Sequence, residues 1–321
     1  MRVLEVSRYK NNFVDHQLPF VTEQGEAIHA LGHEVEYFLV KGNYVKAVGA
    51  LKVKIREFKP DIVHAHFGLS AITAELQSLV PVVTTFHNGE TLNWHVNLMS
   101  SLMSLRAKHV IYVAQHIRDL SYFKARQYSI IPCGVPMEQM TIVPQSEARR
   151  QLGWDPNKKY ILFGGAFSNT RKNYALLRDA VDGLDHFGDI VCVEMKGLSR
   201  AECVLRMNAC DLFALPSHSE GSPQALKEAM AVNCPCLATD IADVRELFGN
   251  EPGHFILRNP RKTHERWDGD QNSLDEMVAL LKEALAFEGR TNGRKRIEAL
   301  QLTNEQVAKR IVKIYEEILG K

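Results

Sequence analysis

No stretch of this 321-residue chain approaches eighteen uncharged apolar residues, so no transmembrane helix is expected. The N-terminus, MRVLEVSRYK, has neither a long apolar core nor a small-residue cleavage site and does not read as a signal peptide. Net charge is nearly absent: 39 basic against 38 acidic residues leave +1. No long-range field argues for nucleic acid as a partner. The six cysteines, Cys133, Cys192, Cys203, Cys210, Cys234 and Cys236, include no Cys-x-x-Cys pair. With no export signal, they are expected as buried, reduced thiols of a cytoplasmic protein. Cys234-Pro-Cys236 reads as two small apolar side chains where a strand begins, rather than as a redox or metal pair. Nor does a Gly-x-Gly-x-x-Gly follow the first strand, LEVSRYKNN, as a nicotinamide dehydrogenase would need.

What is present is alternation. Short β-branched runs at 3–6, 35–40, 61–66, 81–86, 109–113 and 128–131 are separated by amphipathic segments such as 18–32 and 44–58. That pattern predicts a parallel, doubly wound α/β sheet. A second series starts near residue 159. YILFGG (160–165), IVCVEM (190–195), DLFALP (211–216) and PCLAT (235–239) alternate with helices expected from about 172, 199, 223 and 243. The organisation predicted is an N-terminal domain 1–142, a C-terminal domain 143–302 and a terminal helix 303–321. Thr303 and Gln306 make a capping box for that helix. Val307, Ile311, Ile314, Tyr315 and Ile318 share one face, expected to pack toward the first domain. Asp268-x-Asp270-x-Asn272 has the spacing of a calcium loop but lacks its Gly and bidentate Glu, and is rejected.

Residues 217–230, SHSEGSPQALKEAM, carry two glutamates, Glu220 and Glu228, with seven residues between them. Pro223 suits the first position of a helix, with Ser222 as N-cap. Glu220 then lies just outside the helix start, and Glu228 about 8 Å along it. Carboxylates accept hydrogen bonds and suit vicinal sugar hydroxyls. Free N–H groups at a helix start suit an anion. A sugar nucleotide needs both. On spacing alone, a capping acid and an exposed helical glutamate would be the simpler account.

The surrounding text changes the balance. PSHSEGSPQALKEAMAVNCPCLATD (216–240) closely resembles the donor-binding signature of the large retaining GT-B glycosyltransferase family 4 (glycosyl transferases group 1), of the kind used in bacterial surface polysaccharide synthesis. The resemblance implies that Glu228 holds the ribose hydroxyls, and that Glu220, Gly221 and Ser222 face the donor sugar. FGGAFSNTRKNYALL (163–177) resembles the segment that holds the diphosphate, with Gly165 at the strand end and Lys172 matching the family lysine. Where many relatives have arginine after the strand glycine, this chain has Ala166. Either Arg171 supplies the second charge or donor binding is weaker. Asn233 stands where many relatives have glycine, a change expected to touch the turn and not the chemistry. In the first half, KPDIVHAHFGLSA and PVVTTFHNGE resemble the family's third and fourth strands. This implies that His87 contacts the donor sugar or reacting centre, with Asn88 and Gly89 on the acceptor side. The fold implied is two facing Rossmann-like domains with a cleft between them.

The expected activity is transfer of a sugar from a nucleoside-diphosphate donor, UDP or GDP, to a glycan or lipid-linked acceptor with retention. No cofactor is expected and no metal is required by the motifs. His87 and Glu220 are the residues assigned to the reacting centre. Lys52, Arg56 and Lys59 along helix 44–58 open a peripheral membrane contact at the inner face of the cytoplasmic membrane. A solvated basic face is the plainer account, with Val45, Val48, Leu51, Ile55 and Phe58 buried opposite. Two rivals are a metal-dependent hydrolase using His64, His66 and His87, and a donor-binding partner subunit without activity.

Overall fold

The computed structural model describes every residue except 12–15, 17, 185–188, 259–261, 264, 265 and 268, and the backbone alone at 262, 263, 266 and 267. It divides into two compact units, residues 1–134 with 302–321, and residues 135–301.

The first unit is a six-stranded parallel sheet in the order β2-β1-β3-β4-β5-β6. Its elements are β1 (Arg2–Arg8), α1 (Pro19–Ala30), β2 (Glu34–Val40), α2 (Val48–Phe58), β3 (Ile62–His66), α3 (Gly68–Leu76), β4 (Val82–Phe86), α4 (Trp94–Ser104), β5 (His109–Tyr112), α5 (Gln115–Leu120) and β6 (Tyr128–Ile130). The central strands IVHAH and VVTTF are buried along their whole length, as parallel strands covered on both faces must be. Sheet order reverses beside β1, with β2 on one side and β3 on the other. Ligand crevices of parallel sheets form at the carboxyl ends of such a pair. Helix α2 starts at Val48, not 44. Leu51, Ile55 and Phe58 are buried as expected, but Val45 precedes the helix and is 60% exposed.

The second unit holds α6 (Gln145–Leu152), β7 (Lys159–Phe163), α7 (Tyr174–Asp182), β8 (Ile190–Glu194), α8 (Arg200–Ala209), β9 (Leu212–Leu215), α9 (Gln224–Ala231), β10 (Cys236–Thr239), α10 (Val244–Phe248) and β11 (His254–Leu257). A short antiparallel pair β12 (Lys262–Thr263) and β13 (Arg266–Trp267) follows, then α11 (Gln271–Ala286) and α12 (Gly293–Ala299). Its five-stranded parallel sheet runs β11-β10-β9-β7-β8, so the order reverses at β7 and β9. Residues 135–142, counted above with the N-terminal domain, fold with this unit. Asn208 Nδ2 donates to the Thr141 carbonyl, and Arg294 Nη1 and Nη2 reach the carbonyls of Met140 and Met137. The rejected calcium loop begins at residue 268, outside the described residues.

The chain ends in α13 (Asn304–Leu319), with the Thr303–Gln306 capping box formed and Gly320 in the left-handed conformation at its end. Val307, Ile311, Ile314 and Tyr315 pack on Val3, Ile62, Val83 and Ile111 of the first sheet. Each buried side chain contributes about 2 kcal/mol of transfer free energy, so the stripe alone accounts for the docking. All six cysteines are free thiols, and Cys234 and Cys236 are fully buried where β10 begins.

Candidate functional site

In the second unit the candidate residues gather where β7 and β9 end. β7 runs out into Gly164 and Gly165. A Cβ at Gly164 would stand 2.7 Å from the Phe213 ring, so only glycine lets β7 lie this close to β9. A 3₁₀ turn, Thr170–Lys172, follows, and Asn173 takes the left-handed conformation (φ 60°) to start α7. Lys172 and Arg171 therefore belong to this tight turn, not to the first turn of the following helix as the sequence suggested. The turn aims Lys172 back across the strand ends. Its Nζ donates to Glu220 Oε1 at 2.7 Å, with both side chains largely shielded from water. Arg171 is tied to the β9 loop through its carbonyl, which accepts the His218 N–H at 2.9 Å. Its guanidinium makes no ion pair among the described residues, and its buried Nε has no hydrogen-bond partner.

Glu228 sits in α9, only 8% exposed, and accepts from Arg200 Nη1 at 2.6 Å. Burial pushes its carboxyl up, and the Arg200 charge and hydrogen bond work against that rise. Arg200 was not singled out in the sequence. Its signal was Ser199 and Glu202, whose capping box fixes the start of α8 and so the position of Arg200. The N-cap of α9 is Pro223 and not Ser222. The helix begins at Gln224, one residue later than expected, which leaves Ser222 outside the cap, and its hydroxyl donates to Asp243 Oδ2 at 2.6 Å. Burial raises the Asp243 carboxyl, with Lys227 and Ser222 opposing. Asn233 adopts φ 59°, the conformation glycine would supply. Its Oδ1 also accepts the Arg294 N–H at 2.9 Å, tying α12 to the turn.

The first unit carries a polar centre that runs from the middle of β1 and β3, at Glu5 and His64, to the carboxyl ends of β3 and β4. Glu5, His64 and His66 are fully buried. His66 Nε2 lies 2.7 Å from Glu5 Oε2, and its Nδ1 lies 3.1 Å from His87 Nε2. His64 is held by Thr85 Oγ1 at 2.7 Å and by the Tyr315 hydroxyl of α13 at 2.5 Å. Burial pushes the His64 imidazole down to about 3, with the Glu5 charge only partly offsetting it. Burial would raise Glu5, but the two histidines against it outweigh that and hold it below its usual range. An ionised carboxylate only accepts, so His66 donates from Nε2. His66 Nδ1 faces His87 Nε2 on its other side. His87 Nδ1 faces Cys133 Sγ at 3.6 Å. The His87 ring lies 4.7 Å from Phe67 and 4.8 Å from Phe20, centroid to centroid.

The loop after β4 is strapped by Glu90, which was missed in the sequence. Glu90 accepts the Gly68 and His87 N–H groups at 2.9 and 3.1 Å. Burial raises this carboxyl, and those backbone bonds counter the rise. Asn88 stands at φ 102°, and its carbonyl accepts from the Thr91 N–H at 3.0 Å. Beside them a cavity of about 230 Å³ is lined by Arg8, Lys10, Tyr44, Phe67 and Gly89, among others.

Glu5, His64 and His66 bring three metal-type ligand atoms within 4.8 Å of one another. Both ring nitrogens of each histidine are already met by protein groups, and His87 joins only through His66. A hydrolase built on these histidines is not favoured.

Comparison with known proteins follows the same division. The Glycosyltransferase Family 4 model matches residues 37–139, and the Glycosyl transferases group 1 model matches residues 192–265. The chain is 26% identical over 240 residues to the putative teichuronic acid biosynthesis glycosyltransferase TuaC of Bacillus subtilis, covering 64% of this chain and 59% of that one. It is 26% identical over 238 residues to the phosphatidyl-myo-inositol mannosyltransferase of Mycobacterium leprae, covering 63% and 58%. The chain thus spans less than two thirds of these relatives. Among solved structures, sucrose-phosphate synthase from Thermosynechococcus elongatus superposes with a TM-score of 0.77 at 16% identity, covering 99% of both chains. HepE of Anabaena in complex with UDP gives 0.74 at 14% identity, covering 99% of this chain and 100% of that one. These likenesses establish the GT-B fold.

Proposed function

We propose that this chain, which belongs to the family 4 glycosyltransferases of GT-B fold, moves a sugar from a nucleoside-diphosphate donor to an acceptor hydroxyl in polysaccharide or glycolipid synthesis. The observation that carries this is the convergence of Lys172, Glu220, Arg200 and Glu228 at the carboxyl ends of β7 and β9, where sheet order reverses. Two carboxylates held as acceptors, with cations beside them, match a ligand bearing both hydroxyls and a diphosphate.

In this reading Glu228 takes the ribose hydroxyls and exchanges its Arg200 contact for them. Glu220, with Gly221 and Ser222, takes the sugar. Lys172 and the Arg171 guanidinium, which makes no ion pair among the described residues, neutralise the diphosphate, over which Gly165 lets the backbone come close. Arg171 would then supply the charge that Ala166 lacks. His87, its ring held through His66 and Glu5, is the first unit's residue for the reacting centre, and Asn88 and Gly89 stand on the acceptor side. Glu220 is committed to hydroxyls and to Lys172, so front-face attack by the acceptor, with retention, suits the site better than a carboxylate nucleophile. None of these steps calls for a metal. UDP and GDP are the donors expected. Support for UDP is that HepE, a structural neighbour, is known in complex with UDP-glucose.

Calorimetry with UDP, GDP, ADP and their common sugars tests the site. One nucleotide should bind to the full chain, and its affinity should fall in Glu228→Ala and Lys172→Ala. Unchanged binding in both variants defeats the assignment. Release of nucleotide from the matching sugar nucleotide by the purified chain separates an enzyme from an inactive donor-binding subunit.

A further inference from the structure

Helix α4 is built inside out. Its buried residues are Asn97, Ser100, Ser101 and Ser104, whereas Leu98, Met99, Leu102 and the adjoining Leu105 are 37–49% exposed. The cause is close packing on α3: a Cβ at Gly68 would fall 2.1 Å from Ser100 Cβ, so only small residues fit between the two helices. Leu98, Leu102 and Leu105 follow one stripe at spacings of four and three, with Trp94 one turn earlier at 60% exposure. The stripe continues onto a second segment. Asn97 Nδ2 donates to the Leu120 carbonyl, and the Tyr122 N–H reaches Asn97 Oδ1, which brings Leu120, Tyr122 and Phe123 alongside. All three are exposed. Exposed apolar surface of this extent normally marks an interaction site.

Charge points to the partner. Residues 91–128 hold five Lys and Arg (Arg106, Lys108, Arg118, Lys124 and Arg126) against one acid, Asp119. That is a net +4 within a chain of net +1. Two carboxyls pack beside this stretch: Glu75, next to Arg106 and Lys108, is pushed up to about 8 by burial, and Glu90 is buried and already bonded to the Gly68 and His87 N–H groups, so neither presents a free negative charge at the surface. Leucines with Trp94 and Tyr122 among cations make the composition of a surface that enters a bilayer interface. Helix α2, whose cations suggested a membrane face in the sequence, lacks this apolar partner: its Lys54 pairs with Glu36, and its apolar stripe faces the core.

We propose that the outward face of α4, with residues 120–123, docks the protein on an anionic lipid surface. This deepens the acceptor half of the proposed function and rests on it for its meaning: the acceptor is lipid-linked, presented from the bilayer. Val96, on the same helix, lines the cavity beside Arg8 and Lys10, next to which such a headgroup would arrive.

The test is cosedimentation of the full chain with vesicles of phosphatidylcholine alone and of phosphatidylcholine mixed with phosphatidylglycerol. Binding is expected to the mixed vesicles and to be much weaker to the neutral ones. The pair Leu98→Gln and Leu102→Gln should lower partitioning about tenfold. The pair Lys124→Gln and Arg126→Gln should lower it about fivefold for each cation removed, on anionic vesicles only. Both pairs should keep the wild-type circular dichroism spectrum and urea midpoint, which shows that the first unit folds, and nucleotide binding should persist. A wild-type chain that pellets no more with mixed vesicles than without vesicles overturns the proposal. So does self-association abolished by the Leu98 and Leu102 pair in a chain that ignores vesicles, which would give the face to a second copy. Nucleotide binding without vesicle binding leaves glycosyl transfer standing and removes only the docking; vesicle binding without nucleotide binding does the reverse.

Discussion

The two units handle buried charge in opposite ways. At the ends of β7 and β9, charge is held in two separate ion pairs, Lys172–Glu220 and Arg200–Glu228, each with some contact to water. From the middle of β1 and β3 to the ends of β3 and β4, one fully buried carboxylate, Glu5, serves a chain of aromatic rings running to His87 and to Tyr315. A pair that keeps some contact with water can trade its partner for a ligand group that makes the same charged hydrogen bonds. A fully buried network cannot be traded, because any missing member leaves a desolvated polar group without compensation. The first arrangement suits binding and release, and the second suits holding one imidazole still.

The sharpest break of this contrast is Glu5→Ala. Removing the shared acceptor should cost about 3 kcal/mol or more of stability, read as a lower urea midpoint, and leave nucleotide binding by the second unit intact. Acid should produce the same break without mutation. His64 titrates near 6.5 when unfolded but only near 3 when folded, so its contribution is present above 6.5 and is lost as pH falls from 6.5 toward 3. Glu5, with its folded value depressed below 4.5, adds a loss of the same sign at the acid end. A melting-temperature profile should therefore fall on the acid side and flatten in His64→Gln.

In the other unit Lys172→Ala should lower turnover about a hundredfold, measured as nucleotide release, with the urea midpoint little changed. Glu228→Ala should weaken donor binding about tenfold by calorimetry, with a smaller effect on turnover at saturating donor. If Lys172→Ala instead destabilised the fold as much as Glu5→Ala, the contrast between exchangeable and fixed charge would fail. The smallest effect is expected at Asn233→Gly. Glycine accepts the same backbone conformation, so only the bond to the Arg294 N–H is lost, about 0.5–1 kcal/mol in thermal or urea unfolding.

Much of the layout was legible because parallel strands need unbroken β-branched runs, and this chain writes them plainly at IVHAH, VVTTF and YILF. β11, with the mixed sequence HFIL, and α12 were not singled out. Of the site, Glu220, Glu228 and Lys172 were legible from the register of Gly221, Pro223 and Glu-Ala-Met-Ala. Their partners were not. Arg200 lies 28 positions from Glu228, and Asp243 lies 21 from Ser222, separations at which no local rule pairs residues. Ser222 shows the limit most clearly. A serine before Pro223 is a fair N-cap by local rules, but the helix begins one residue later, and the hydroxyl is used by Asp243, which lies beyond the reach of any local rule.

Helix α4 inverts the usual inference. Its leucines would be assigned to the core by pattern, yet the Gly68 contact admits only serines and turns them outward. The sequence by itself determined the two α/β series, the capped terminal helix and the Glu220–Glu228 segment, since each depends on periodicity or on neighbours within a few residues. Only the tertiary structure decided which acid meets which cation, which histidine is fixed by Glu5, and which face of α4 is left to solvent. Those depend on packing between elements remote in the chain, where distance in space bears no relation to distance in sequence.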